Sequence, residues 1–410
     1  MVKFDAVICG AGPSGSTAAK YMAEKGLNVL LLEKDSFPRD KPCGGALRPK
    51  VVEEFDHVRG GLKKIPHTLC YRAMMYPPSL KNHVDFRSKN VVMYVVQRTH
   101  FDAMLVELAE SAGAELRENS EVNKVIKKSN GYSIQLKDGK EVAGKVLIGA
   151  GGVHDPVGRY LRKKEGLPEK WPESDIALSV VQEFKVGEDF IIDRFGEEHT
   201  SYFHLKPKNL YGYAWTFSKE DALNIGFGAF WKEMKEINIR DVFAHYIRLL
   251  KKEGLVPENL NTFKPKGAPI PMRGGIKTSY SDGMLIIGDA AGFVSPLGGD
   301  GIYFGMSSGR VAADVVEYAI EHDSFGKDTL SRYQERWYRE WGKELEMLRY
   351  FADKLFAKTE QVLKYASRDM VLQKRCVYLY NGENSASELK WKVLTRIARD
   401  FFLYDVLRRK

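Results

Sequence analysis

Cysteine is scarce in this chain, with four residues among 410. Cys9, Cys43, Cys70 and Cys376 form no CxxC pair and no metal-ligand spacing, which argues against a disulfide framework and against a bound metal. A reducing, cytoplasmic setting fits best. Long apolar runs are missing as well. Nothing approaches the roughly 20 residues of a membrane span, and the start "MVKFDAVICGAG" has no basic segment leading into an apolar stretch. The chain therefore reads as soluble or peripheral to a membrane. No repeat, low-complexity tract or Pro- or Ser-rich linker interrupts it, and 44% hydrophobic against 29% charged residues is ordinary for a globular protein. Fibrous and disordered classes fall away.

What is present begins with size and charge. At 410 residues the chain exceeds one hydrophobic core, so two or three units are expected on a shared framework. Its formal charge is +9, but the basic residues are interleaved with acids and no nucleic-acid module is recognisable. A solvated basic surface and attraction to anionic lipid headgroups both remain open.

The segment "FDAVIC" reads as a buried strand, "GAGPSG" follows at once, and "STAAKYMAEKG" continues as a helix. In that context Gly10 allows the tight turn, Gly12 admits a pyrophosphate to the backbone, and Gly15 lets helix and strand pack closely. Ala11, Pro13 and Ser14 complete the loop, and the helix N-terminus offers N–H groups to phosphate. A second strand, "NVLLLEK", ends in Glu33, placed to accept from a ribose diol, with Lys34 beside it.

Residues 283–316, "GMLIIGDAAGFVSPLGGDGIYFGMSSGRVAADVV", return to the theme of strand, acid, glycine-rich turn and long helix. Asp289, after Gly288, can hold polyol hydroxyls, and the turn through Gly299 and Gly301 to Ile302 opens a second helix N-terminus. A nicotinamide dinucleotide on one Rossmann unit needs no such distant clamp, whereas FAD, with a ribityl chain between pyrophosphate and flavin, does. FAD is the expected cofactor.

Together with "VVQRTHFDAML" (95–105) and "VLIGAGG" (146–152), these motifs resemble the FAD fold of para-hydroxybenzoate hydroxylase. "KPCGGAL" and "YGYAWTFSKEDALNIGFG" (211–228) are similar to the geranylgeranyl reductase branch, including the archaeal digeranylgeranylglycerophospholipid reductases. The resemblance runs through most of residues 1–320. It implies that Arg98 bonds the pyrophosphate, that Val122 holds adenine through its backbone, and that Cys43, Gly44, Gly45 and Ala46 lie beside the flavin ring. Two positions depart from the pattern: Gly151 stands where an Asp is usual, and Ser218 where a Pro is usual.

Tyr213, Trp215 and Phe217 alternate on a strand and so share one face. That face is either sheet core or, as the resemblance implies, the wall of a tunnel for isoprenoid chains. For Cys43 three readings compete: a structural thiol in a turn, half of a redox pair, or a flavin-facing residue, the last favoured by the resemblance. Lys41 and Arg48 would then tune the thiol or an anionic reduced flavin. The proton source stays open between Cys43, Tyr213, water and the flavin. The implied electron donor is NADPH, reduced ferredoxin or a similar low-potential carrier.

The expected architecture is α/β: a Rossmann-like FAD-binding domain (1–64, 95–171 and 265–322), an inserted, mostly antiparallel β-sheet substrate domain (65–94 and 173–264), and a C-terminal helical region (323–410). In the last stretch Trp391, Val393, Leu394, Ile397, Phe401, Phe402 and Leu403 pack on the body or touch a membrane surface. The expected function is FAD-dependent saturation of geranylgeranyl chains in isoprenoid ether lipids or related prenyl compounds. A hydroxylase or halogenase on the same fold, and an electron-transfer flavoprotein reducing a membrane quinone, are the alternatives. The halogenase WxWxIP motif is absent.

Overall fold

The strand Phe4–Cys9 is buried along nearly all its length and runs parallel to Val29–Leu32 on one side and Glu141–Gly149 on the other, Ile8 lying between Leu31 and Ile148. Glu115–Arg117 and Met284–Ile286 extend the parallel sheet at its two sides. Strands covered on both faces need unbroken apolar sequence, which is what "VLLL" and "MLI" supply. These features belong to a computed structural model that describes residues 4–129, 131–261, 264–381 and 386–401.

Two helices meet on this sheet, Pro13–Glu24 and Ile302–Glu321. They approach closely because Gly309 has no side chain: a Cβ there would sit 2.6 Å from the Ser14 carbonyl and 3.0 Å from the Ala18 nitrogen. The contact brings the starts of both helices to one edge of the sheet, where the two glycine-rich turns lie.

A second sheet of seven strands stands over that edge, in the order Lys266–Pro271, Ile176–Lys185, Ala222–Phe230, Gly212–Ser218, Ser201–Leu205, Arg72–Tyr76 and Val84–Arg87. All its pairings are antiparallel except Ser201–Leu205 with Arg72–Tyr76. The sheet thus takes in residues up to Pro271. One face packs on helix Ile239–Lys252, whose Val242, Phe243, Tyr246, Ile247 and Leu250 are buried. Thr216 on that face shares a hydrogen bond with Tyr246 at 3.0 Å. Tyr213, Trp215 and Phe217 therefore point the other way, toward the cofactor domain. A small sheet, Ala46–Leu47, Met93–Val96 and His67–Cys70, ties the Cys43 loop to this layer.

The chain ends in helices Lys327–Trp337, Lys343–Ala357, Thr359–Ala366, Met370–Asn381 and Ala386–Phe401, with a π-helical turn at Tyr338–Gly342. Trp337 and Trp341 each lie 4.7 Å from the ring of Phe293, which fastens this region beneath the second glycine-rich turn. In the last helix Val393 is buried and Ile397 packs on the core, while Trp391 is 69% exposed. The Phe401 side chain, Phe402 and Leu403 lie outside the described residues. Among the described residues no helix is long and apolar enough to cross a membrane.

Candidate active site

A cavity of about 590 Å³ follows the edge where the two sheets face each other. Of the residues expected at the cofactor, Gly10, Gly12, Pro13, Ser14, Glu33, Lys34, Cys43, Gly44, Gly45, Ala46, Arg98, Val122, Gly288, Asp289, Gly299, Gly301 and Ile302 line it, as do Tyr213, Trp215 and Phe217. Ala11 and Gly15 stand just behind the wall. The Ala11 N–H donates to Glu33 Oε2 at 3.1 Å, and a Cβ on Gly15 would run into the Gly10 carbonyl. Gly10 itself has φ +106°, and a Cβ there would come within 2.7 Å of Ala150 and Gly151.

Around this loop the charges are set in pairs. Glu33 accepts from the backbone of Ala11, Lys34 and Asp35, and Arg39 Nε lies 3.4 Å from its Oε2. Arg98 binds the fully buried Asp102 through Nε at 2.6 Å and a terminal nitrogen at 2.8 Å, and Arg39 approaches the same carboxylate at 3.1 Å. Burial alone would lower the Arg98 guanidinium, but Asp102 and then the Cys43 sulfur outweigh it, holding Arg98 above its usual range. Arg98 therefore meets Cys43 as well as the cofactor side. Lys41, open to the cavity, is pulled down by the protein around it and next by Arg98, with Asp289 acting in the opposite sense.

Arg48 behaves differently from the expectation that it would tune the thiol. It does not line the cavity; it is 1% exposed, paired with Asp300, 3.8 Å from Glu344 and 5.0 Å over the Phe304 ring. A buried guanidinium requires carboxylates, and the second turn and the C-terminal region provide them. The position occupied by Gly151 has a substitute acid. Asp155 accepts from Gly151 N at 2.8 Å and also caps helix Pro156–Lys164, and a Cβ on Gly151 would lie 2.7 Å from its Oδ2. Burial pushes the Asp155 carboxyl up to about 6 against the pull of those N–H groups.

The Cys43 turn is held from three sides. Gly45 N–H donates to the Cys43 sulfur at 3.3 Å, and Gly45 at φ +74° leaves no room for a Cβ beside the Val96 carbonyl. Asn224 Nδ2 donates to the Cys43 carbonyl at 3.0 Å, while its Oδ1 accepts from Trp215 Nε1 at 2.8 Å. Gly44 lies flat on the aromatic strand: a Cβ there would be 3.0 Å from Phe217 and 3.3 Å from Trp215. Tyr213 donates its hydroxyl to the Gly298 carbonyl, fixing the strand to the second turn. Across the strand pair, Gly226 opposes Trp215 and leaves space for the indole.

Arg39, Asp102 and Asn224 are site residues that the sequence reading did not single out. Asp102 was within reach of it, since Arg98 and Asp102 are four apart on one helix. Asn224 carried a weaker signal, a polar residue inside an otherwise apolar strand. Arg39 sits in a loop and carried none.

Two helix starts aimed at one cavity, glycines wherever a side chain would block it, and an apolar wall beyond the second turn fit FAD and define an FAD-dependent oxidoreductase. Residues 3–316 match the FAD binding domain family. The chain is 31% identical over 340 residues to the digeranylgeranylglycerophospholipid reductase of Methanocaldococcus jannaschii, covering 82% of each. It is 29% identical over 328 residues to the menaquinone reductase of Mycobacterium tuberculosis, covering 76% of each. The structure superposes with a TM-score of 0.78 on a geranylgeranyl bacteriochlorophyll reductase-like protein from Thermoplasma acidophilum, at 23% identity and covering 94% and 98% of the two chains. This protein belongs to the FAD-binding oxidoreductases and, within them, to the geranylgeranyl reductase family.

Proposed function

We propose that the protein saturates carbon–carbon double bonds of geranylgeranyl chains, carried by an isoprenoid ether lipid or a related prenyl compound. The observation that carries this reading is the continuity of the cavity. The loops that receive the cofactor open directly onto the Tyr213, Trp215 and Phe217 face, which Ala177 and Ile270 continue on neighbouring strands of the same sheet, with Met272 and Val294 also lining the cavity, so a long hydrocarbon can lie against the flavin position. Such a wall makes no polar demand and excludes water.

FAD, which the Gly10–Gly15 loop, Glu33 and the turn after Asp289 would hold, would supply hydride chemistry in its reduced form, and saturation of an alkene would also need a proton. Cys43 is the residue we assign to the proton, because its sulfur is fixed at the cavity by Gly45 N–H and lies against Arg98. Tyr213, the second candidate, has its hydroxyl committed to Gly298, so its part is to hold the turn and the wall together. Arg98 and Asn224 position the Cys43 turn from the cofactor side and the substrate side respectively.

NADPH, reduced ferredoxin or a similar carrier would deliver the electrons, and the net charge of +9 suits an acidic protein donor. Trp391 and Met370, 69% and 83% exposed on the last two helices, suit contact with an anionic lipid surface. The test is to incubate chemically reduced holoprotein with a geranylgeranyl lipid and follow mass gains of one H₂ per double bond. Stepwise gains support the assignment. No gain with any donor, or quinone reduction alone, refutes it.

A further inference from the structure

The cavity does not end at the flavin-facing loops. Phe217 and Trp215 touch Gly44, Tyr213 reaches the second turn, and Tyr211, next on the same face, reaches helix Lys343–Ala357. From Phe217 to Tyr211 the path is roughly 20 Å at about 3.4 Å per residue. At its far end the Tyr211 ring lies 4.8 Å from Phe356 and 5.6 Å from Phe230, and all three line the cavity. Asp353, whose Oδ1 accepts from the Tyr211 hydroxyl at 3.3 Å, is exposed, so this end meets solvent. It is a mouth with an aromatic collar.

Arg349, Asp353 and Phe356 fall on one face of their helix. Each charged group at the collar except Arg349 has a partner in the fold. Asp353 takes the Tyr211 hydroxyl, Glu233 takes the Tyr211 N–H, and Arg273 binds Asp175 at 2.8 Å. Arg349 donates one N–H to the Arg273 carbonyl at 3.3 Å, and no carboxylate among the described residues forms an ion pair with it. Its charge is felt at the phenol of Tyr211, which burial, Asp353 and Glu233 raise to about 12 while Arg349 pulls the other way. The carbonyl that orients Arg349 belongs to the residue after Met272, itself a cavity wall.

We infer that Arg349 is the anchor for an anionic headgroup, a phosphate carried on the prenyl chain, at a mouth collared by Tyr211, Phe230 and Phe356. This rests on the prenyl reductase reading above. A guanidinium matches phosphate geometry through two parallel N–H donors, and a ligand held there would leave its chain only one direction to run, along the aromatic strand to the flavin. The headgroup end would stay wet and the alkenes dry.

The test is equilibrium binding to the FAD-loaded full chain, read by tryptophan fluorescence, with geranylgeranyl phosphate, geranylgeraniol and inorganic phosphate as probes. Arg349→Gln, a change at an exposed side chain, should weaken geranylgeranyl phosphate about tenfold and geranylgeraniol less than about twofold. Arg349→Lys should recover part of the loss. Millimolar inorganic phosphate should leave prenyl phosphate binding unchanged. Equal weakening of phosphate ester and alcohol, no weakening of either, or displacement by inorganic phosphate as effective as by the ester would each overturn the assignment. Wild type that binds neither prenyl probe would refute the prenyl reading itself.

Discussion

Asn224→Leu tests whether the substrate sheet holds the Cys43 turn in place. Asn224 is 1% exposed and makes three hydrogen bonds: Nδ2 to the Cys43 carbonyl at 3.0 Å and to Glu183 at 3.1 Å, and Oδ1 from Trp215 Nε1 at 2.8 Å. Leucine fills a similar volume and makes none of them. Stranding the buried indole N–H costs about 1–3 kcal/mol, and the Cys43 carbonyl loses a bond worth about 1 kcal/mol more. Global stability should therefore fall by about 2–4 kcal/mol. The share borne by the turn, about 1 kcal/mol, should raise its local opening roughly fivefold. Hydrogen exchange by mass spectrometry on the apoprotein reads this directly. Segment 41–48 should exchange about fivefold faster, while the dinucleotide loop, segment 9–16, should change only by the global loss. FAD should still bind and alkene reduction should drop. If segment 41–48 kept its wild-type rate in a destabilised protein, or if both segments accelerated alike, the claim that Asn224 clamps the turn would be wrong.

Three further outcomes follow from the same geometry. Cys43→Ser should retain FAD, judged by its absorbance, while the mass distribution of the product shifts to partly saturated species; full saturation at the wild-type rate returns Cys43 to a structural role. Gly226→Val should cost about 1–3 kcal/mol in denaturant unfolding and blunt turnover, because a Cβ there collides with the Trp215 indole and lies 2.6 Å from the Val180 carbonyl; an unchanged midpoint would show that the indole has room to move. His57, pulled down from 6.5 to about 4 by burial first and Lys20 next, is neutral in the fold, so its contribution is present above 6.5 and lost as pH falls toward 4. Between pH 7 and pH 5 wild type should lose about 2 kcal/mol relative to His57→Gln, and parallel stability curves for the two would contradict the assignment.

The cofactor half of the site was readable because its determinants are local. In "GAGPSG" the need for glycine comes from a turn and a helix start within a few residues, and Glu33 closes the next strand, so the pattern and the contacts coincide. The aromatic strand was half readable. Alternation placed Tyr213, Trp215 and Phe217 on one face, but only the structure shows Gly226 and Gly228 across from Trp215 and Tyr213, and Asn224 across from Phe217. Arg48 shows why charge cannot be assigned by proximity along the chain. It follows the Cys43 turn by a few residues, yet Asp300 and Glu344, distant in sequence, hold it in the interior.

On the proposed function, the division of charge along the cavity matches what each end would do. On the cofactor side a phosphate-bearing ligand enters a region where Arg39 and Arg98 share Asp102, so the cations are fixed before the ligand arrives and their reorganisation is small. Beyond Gly298 the walls turn mostly apolar, which suits the proposed function, since an alkene offers nothing for a charge to hold. Three polar groups at that wall are tied into the fold: the Trp215 indole donates to Asn224 on the neighbouring strand, the Tyr213 hydroxyl holds the Gly298 carbonyl, and the Asn224 amide holds the Cys43 carbonyl. Neither the indole N–H of Trp215 nor the Tyr213 hydroxyl is then left unpaired beside an apolar ligand, which is what the proposed presentation of a flavin to a hydrocarbon would need.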